Sequence, residues 1–463
     1  MLDEDCLCLF VSLRVSSCLF VSPILSAPCC TAMPTYSIFT LGCRLNQADS
    51  ALLAGNLEQH GFSALPWGQA ADLLLINSCT VTAVASSKTR QLLQSARRFA
   101  PQAYIVLLGC DANAESERWR QCPELDLLLP NPKPQDLVSL LPPVLRRENQ
   151  PVVAQSPPQV EGFTLEGCGE HGKRTRATLK IQEGCDFHCS YCIVPQTRGP
   201  ARSRQLDDLL REAEMLLQRG YRELVISGVN IACYENKGAD LPDLLARLLQ
   251  LGKGFRLRLG STEPGPCLRK LVDLMAEQSQ ICRFLHLPLQ YGEDSILQRM
   301  GRHYDCQTYE NSVRYAIEKL PGLCLGSDLI LGFPGETDEN YAACLDYVRS
   351  IPFGLLHIFP YSPRQGTAAA KMKNRPPSPV VKARAAEMRK IAAHKEREFA
   401  KSQIGKNLPV LLEKSSPGAQ GWSDNYLQIR LKGPEKLAVN TIVQARACQY
   451  LGKRSLGAEI QSA

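Results

Sequence analysis

No fourth cysteine joins Cys185, Cys189 and Cys192, and in a 463-residue chain with 20 cysteines that absence is informative. A closed structural zinc site or an ordinary cubane iron–sulfur cluster takes four protein ligands. Three thiolates at C-x3-C-x2-C spacing leave one metal position open, where a small molecule can bind and react. The competing readings are a zinc knuckle completed by His188, or thiols with no common role. The chain also lacks the even cysteine framing of a disulfide scaffold, and at this length it needs no staples, which points to a reducing cytoplasm. Basic residues are missing from the head of the one long apolar stretch, Cys6 to Leu25. It opens on Asp3-Glu4-Asp5 and carries Arg14 in its middle, so it does not read as a signal sequence, and it is short for a membrane span. Residues 1–33 are therefore expected to be a leader, with translation starting at Met33. No later run reads as transmembrane, and no membrane partner is expected.

A hydrophobic content of 44% and a charged content of 21% describe a globular chain, long enough for two or three domains with separate cores. The net charge of +7 is uneven. Residues 381–463 carry 15 Lys and Arg against 7 Asp and Glu, a surplus of +8 that accounts for the whole excess. A basic terminal module points to a polyanionic partner, most simply a nucleic acid.

Residues 34–145 repeat one unit three times: an apolar run, a cysteine, then a helical pattern. The runs Tyr36–Leu41, Leu73–Ile76 and Tyr104–Leu108 precede Cys43, Cys79 and Cys110, with helices expected near 48–60, 84–99 and 113–121. Such units build a parallel sheet and gather ligands outside the carboxyl ends of its strands. Three thiols distant in sequence would then converge as a second three-thiolate site. Residues 146–173 read as a linker, in which Cys168 is given no role. In 174–402, six strand–helix units are expected, with strands at 179–181, 222–227, 255–259, 283–287, 323–331 and 354–359. Six parallel units curve into a partial barrel. The distinctive residues follow its strands: the cysteine loop entered through Gly184, then Ser227-Gly228-Val229-Asn230, Ser261-Thr262-Glu263-Pro264, His286 to Gln290 and Gly332 to Thr337. The last could simply cap a helix at Thr337. His286 is equally readable as a satisfied structural histidine. A basic helical connector over 380–400 leads to alternating segments at Leu408–Leu412, Tyr426–Leu431 and Val443–Ala447, a small all-β barrel over 403–463.

The cysteine spacing, with Tyr191 before the last cysteine, resembles the radical S-adenosylmethionine (SAM) superfamily. The phrases Ile181-Gln182-Glu183-Gly184-Cys185, Cys192-Ile193-Val194-Pro195 and Thr197-Arg198-Gly199 resemble its methylthiotransferases more narrowly. So do Gly42-Cys43-Arg44-Leu45-Asn46-Gln47, Asn77-Ser78-Cys79-Thr80-Val81-Thr82 and Gly109-Cys110. The resemblance spans about Tyr36 to Ile460. It implies an α/β protein: a flavodoxin-like amino-terminal parallel-sheet domain, a partial (β/α)6 radical SAM barrel and a carboxy-terminal all-β TRAM barrel that binds RNA. It also implies two 4Fe-4S clusters, one on Cys185, Cys189 and Cys192 that cleaves SAM, the other on Cys43, Cys79 and Cys110 that carries the sulfur. Gly228 and Asn230 would line the methionyl end of SAM, and Ser261 and Glu263 would approach its ribose or ammonium. Asp328 and the residues up to 336 would flank the adenine, with Tyr191 near it. Lys414, Arg430, Lys432, Arg446, Lys453 and Arg454 would contact phosphates, and Trp422 or Tyr426 would stack on a base.

Inserting sulfur at an unactivated aromatic C–H bond is beyond acid–base pairs at pH 7, so a radical route fits two open cubes better. Within the family the chain looks most like the MtaB branch, which adds methylthio to carbon 2 of threonylcarbamoyl-adenosine beside the tRNA anticodon. The alternatives are the MiaB branch, acting on isopentenyl-adenosine, and a branch acting on a ribosomal-protein aspartate. An RNA-binding protein with a purely structural metal site is the reading from a different class. An electron donor such as flavodoxin or ferredoxin and a sulfur source complete the expected partners. Because each triad is a complete ligand set, Cys79→Ala is expected to lose about half the cluster iron and keep uncoupled SAM cleavage. Iron content and 5′-deoxyadenosine release check this, and loss of all cleavage in a folded variant would contradict the division of labour.

Overall fold

The computed structural model describes residues 33–80, 83–130, 136–147, 151–154, 175–415, 418–432 and 437–461. The expected leader and Cys168 lie outside these residues, as does most of the stretch read as a linker. The amino-terminal strands are β1 (Thr35–Thr40), β2 (Ser63–Ala64), β3 (Leu73–Ser78), β4 (Tyr104–Gly109), β5 (Leu127–Leu129) and β6 (Val152–Val153). They run parallel in the order β2-β1-β3-β4-β5-β6. Apart from the added edge strand β6, this is the flavodoxin-like order, which opens a crevice at the carboxyl ends of β1 and β3. Every residue of β3 and β4 is buried, as central strands covered on both faces must be. Val152 and Val153 pair with β5 although they fall in the stretch read as a linker; two residues are too few to show a period. The first helix, Arg44–Gln59, starts directly after Cys43, earlier than expected. The stretch near 113–121 is two short helices, Cys110–Ala114 and Ser116–Trp119.

Next come Arg176–Lys180, Glu223–Ser227 and Arg256–Leu259, one parallel sheet, then Phe284–His286, Cys324–Leu331 and Leu355–Pro360, another. Parallel bridges Leu257↔Ile281 and Ser261↔His286 link the two, so six strands run side by side in chain order as an open barrel. Asp240 and Thr337 open two of the outer helices with reciprocal capping boxes. The Gly332–Thr337 segment thus does cap a helix, and the buried Glu336 ties it down by accepting from the Gly332 amide at 2.6 Å and pairing with Arg384 on the long helix Ser378–Lys401.

The last five strands, Asn407–Lys414, Gln420–Ser423, Gln428–Lys432, Ile442–Gly452 and Ser455–Ile460, close into a barrel. Tyr426 stands outside the strand expected to begin with it; its φ of +65° lies in the left-handed region, which a bulky side chain rarely adopts. Two buried arginines of the larger barrel hold this small one. Arg256 donates to the carbonyls of Pro409 and Trp422, both at 2.9 Å, and Arg258 to those of Asp424 and Ser423 at 3.0 and 2.9 Å. Both guanidiniums share Glu223, which is fully buried. Burial alone would raise its pKa, but the two cations hold the carboxyl well below the ordinary range. Glu223→Gln strands two buried cations, so a loss of about 3 kcal/mol or more is expected. The readouts are a lowered Tm and faster amide exchange in the terminal barrel; an unchanged Tm would show the carboxylate to be dispensable.

Candidate active site

Cys43, Cys79 and Cys110 follow β1, β3 and β4, three adjacent strands, so parallel pairing brings the three together at one sheet edge. Their loops are tightly fitted. Gly42 has φ +102°, and a Cβ there would lie 2.6 Å from that of Cys79. Asn46 ties the first loop to the second by donating to the Leu41 and Ser78 carbonyls at 3.0 and 2.8 Å. Cys79 and Cys110 are buried, and Cys43 is exposed. Burial pushes the Cys110 thiol above its usual pKa; Arg198 opposes this, donating Nε–H to Sγ at 3.2 Å, while the Cys43 thiol adds to the rise.

Cys185, Cys189 and Cys192 lie on one loop after the first barrel strand. Gly184 enters it at φ +71°, where a Cβ would fall 1.9 Å from the Pro200 carbonyl oxygen. Gln182 links this loop to the next, since its Oε1 accepts from the Val229 and Asn230 amides at 3.0 and 3.1 Å and its Nε2 donates to the Gly184 carbonyl. Arg302 reaches across the mouth to Cys189 Sγ at 3.1 Å, the Tyr191 hydroxyl at 3.3 Å and Glu263 at 2.7 Å. Burial pushes the Cys192 thiol up to about 12, partly offset by the backbone bond to Val194, with Cys189 adding to the rise.

A cavity of about 370 Å³ joins the two sets, lined by Cys43 from one and Cys192 from the other, with Tyr191, Asp328, Ile330 and Arg364. A second, of about 280 Å³, is lined by Cys43, Arg44, Gly228, Ser261, His286, Asp328, His357 and Tyr426. All six cysteines are free thiols, and a guanidinium N–H is aimed at one sulfur of each set, a contact that suits an anionic iron–sulfur centre. Arg364, 7% exposed, adds an Nε and an Nη2 without partners at the wall between them. Each donor set fits a cube with one open iron.

The other expected residues fall out unevenly. Tyr191, Gly228, Ser261 and Asp328 line one or both cavities. The Ser261 hydroxyl meets His286 Nδ1 at 3.0 Å and His286 Nε2 meets Asp328 at 3.3 Å, so this histidine is both satisfied and cavity-facing. Glu263 is occupied by Arg302, and Asn230 caps the short turn Ile231–Cys233 while its Nδ2 is buried without a partner. Lys414, Arg430, Lys432, Arg446 and Lys453 are exposed, and strand register sets Lys432 and Arg446 on either side of Glu459. Arg454 instead turns inward, donating to the Tyr426 carbonyl. Trp422 and Tyr426 stack on each other at 5.0 Å, and Tyr426 also packs on Phe284.

Arg198, Asn46, Arg302 and Arg364 were not singled out in the sequence. The first two sit inside the quoted motifs; Arg302 has no local signal for its bonds to Cys189 and Glu263, which come from other loops, and Arg364 has none because the cavity it lines is assembled from distant segments. Arg198 is the joint between the halves: besides Cys110 it pairs with Glu183 at 2.6 Å and Asp49 at 3.1 Å, and bonds Asn46 at 2.8 Å. Arg198→Met is expected to speed amide exchange in the Arg44–Gln59 helix by about a hundredfold. Unchanged exchange would put the joint elsewhere.

Comparison with known proteins fits this geometry. Residues 179–348 match the radical SAM superfamily, and residues 35–130 match a family described as uncharacterized protein family UPF0004. The threonylcarbamoyladenosine tRNA methylthiotransferase MtaB of Aquifex aeolicus is 32% identical over 402 residues, covering 85% of this chain and 96% of that protein. Its namesake from Bacillus subtilis is 30% identical, covering 89% and 94%. The tRNA-2-methylthio-N(6)-dimethylallyladenosine synthase of Carboxydothermus hydrogenoformans is 34% identical, covering 83% and 89%. Among solved structures, the radical SAM methyltransferase TsrM from Kitasatospora setae, with cobalamin and a [4Fe-4S] cluster bound, shares the fold at a TM-score of 0.53 and 17% identity, over 73% of this chain and 77% of that one. With one cysteine of each triad lining a common cavity and relatives of this kind matched over nearly their whole length, the chain belongs to the radical SAM methylthiotransferase family.

Proposed function

We propose that the protein adds a methylthio group to carbon 2 of threonylcarbamoyl-adenosine beside the anticodon of tRNA. The observation that carries this reading is the single cavity lined by one cysteine of each triad, Cys43 and Cys192. The relatives named MtaB support the choice of nucleoside. The 34% identity to the dimethylallyladenosine synthase keeps isopentenyl-adenosine as the second reading.

In this reading Cys185, Cys189 and Cys192 would hold one 4Fe-4S cluster and Cys43, Cys79 and Cys110 the other. Bound there, the clusters and SAM would supply one-electron cleavage of SAM and the sulfur to be inserted. The chain's own residues position and shield. Arg302 keeps Glu263, Tyr191 and the Cys189 loop in one arrangement. Arg198 fixes the distance between the triads by bridging their domains. Tyr191, Ile330 and Phe359 give the joining cavity apolar lining. The exposed Lys414, Arg430, Lys432, Arg446 and Lys453 would take tRNA phosphates. Reducing equivalents would come from a flavodoxin or ferredoxin, sulfur from an external donor, and the setting would be the cytoplasm. Among the described residues no helix is long and apolar enough to cross a membrane.

The test is anaerobic reconstitution with SAM, sulfide and reductant, using tRNAs that carry either precursor nucleoside, followed by digestion and mass spectrometry. Methylthio on the threonylcarbamoyl nucleoside is expected, with Cys189→Ala abolishing it. Product from the isopentenyl substrate alone would move the assignment to that branch. No product from either, despite SAM cleavage, would redirect the search to a protein substrate.

A further inference from the structure

Arg44 follows the cavity-lining Cys43 and is itself half-buried in the wall of the smaller cavity. Around it, charges are matched: Arg198 to Glu183, Arg258 to Glu223 and Arg302 to Glu263. Arg44 is not. Among the described residues it enters no ion pair, and its one hydrogen bond runs from Nη2 to the Tyr426 hydroxyl, at 2.6 Å. A guanidinium offers five donors in a planar fork; the phenol takes one of them, and its ring, with the guanidinium carbon 5.6 Å from its centre, offsets only part of the charge.

The surroundings sharpen that surplus. Tyr426 presents its hydroxyl to Arg44 and its carbonyl to Arg454, which likewise enters no ion pair among the described residues. The left-handed backbone of Tyr426 shows that the fold imposes this placement. His357, on the same wall, is held below its ordinary pKa first by burial; Asp328 opposes this, while His286, Arg454 and Arg44 all push with burial. Among the described residues, Arg44 is the one guanidinium in the wall of this cavity. The cavity's one acidic lining residue, Asp328, lies 3.3 Å from His286 Nε2 and also lines the neighbouring cavity that holds Cys192. Arg44 marks the opposite boundary, for it also lines the outer groove with Arg176 and Lys414.

We propose that Arg44, seated by Tyr426, recognises a carboxylate carried on the N6 substituent of the target adenosine, and so selects a threonylcarbamoyl group over an uncharged one. This rests on the substrate reading above and adds the residue that enforces it. A planar fork accepts a carboxylate through two parallel N–H bonds. A backbone phosphate is the other anion within reach of Arg44, from the outer groove that it shares with Lys414 and the Arg176–Glu413 pair, and the binding test separates the two.

The experiment uses the reconstituted protein without reductant and three anticodon stem-loop RNAs. They differ only at the target adenosine: threonylcarbamoyl, its neutral methyl amide, or isopentenyl. Binding is read by fluorescence anisotropy. The wild type is expected to prefer the carboxylate RNA over the amide by about 30-fold or more. Arg44→Gln should erase that preference by weakening the carboxylate RNA alone, and Arg44→Lys should keep part of it. Iron content is measured in each variant; if Arg44→Gln loses iron, Tyr426→Phe, which removes only the hydroxyl seat, takes its place and should narrow the preference. Equal weakening of all three RNAs would make Arg44 a phosphate contact and overturn the inference. So would a wild type that methylthiolates the threonylcarbamoyl RNA yet binds carboxylate and amide alike, a result that leaves the proposed function standing. Methylthiolation of the isopentenyl RNA alone would instead overturn the substrate reading, and this inference with it.

Discussion

The buried guanidinium of Arg198, with the Lys180 ammonium beside it on Asp49, couples the two halves of the reaction chamber. Arg198 rises from the helical turn that follows Cys192, yet its partners Asn46, Asp49 and Cys110 belong to helices of the amino-terminal domain. Taking such a cation out of water costs several kcal/mol unless every donor is met. Here Nε, Nη1 and Nη2 each find an acceptor, and Lys180 and Arg202 share the load on Glu183. The parts must therefore meet in one register or leave buried charge unpaired. That requirement fixes the separation of the two triads more firmly than any loop could.

The same device recurs at the other seam. Glu223 gathers Arg256 and Arg258, and their remaining donors go to four carbonyls of the terminal barrel. At both seams the charges sit on barrel strands or the turns beside them, while the partners across the seam lie 88 to 166 residues away. Apolar packing builds each core, and buried ion pairs set how the cores are docked. This use of charge is one of geometry more than of net stability.

The repeating units made much of this legible in the sequence. Strand, cysteine and helix recur with clear apolar periods, so the parallel sheet and the six-strand barrel could be read without partners in view. The meeting of Cys43, Cys79 and Cys110 followed from topology alone, because residues after parallel strands share one edge. Two strands of the terminal barrel, Gln420–Ser423 and Ser455–Ile460, escaped notice because they are short and carry Gly421 and Gly457 where alternation would show. Arg302 and Arg364 were illegible for a different reason. Arg302 meets groups brought in by other loops and Arg364 lines a cavity that distant segments build, and no spacing within either segment announces that. Tyr426 was read as a strand residue and candidate base-stacking ring; its left-handed backbone turns it toward Phe284 and Arg44.

Tyr426 also changes what the terminal barrel is. A module attached only to grip a nucleic acid could be exchanged between enzymes with little effect beyond affinity. Here one of its side chains forms part of the wall of the chamber beside Cys43, and its carbonyls terminate the buried arginines of the neighbouring barrel. Grip and chamber thus share a partition. In this lineage the carboxy-terminal domain cannot drift independently of the catalytic core: a graft from a relative would bring its own partition, and with it a differently shaped room.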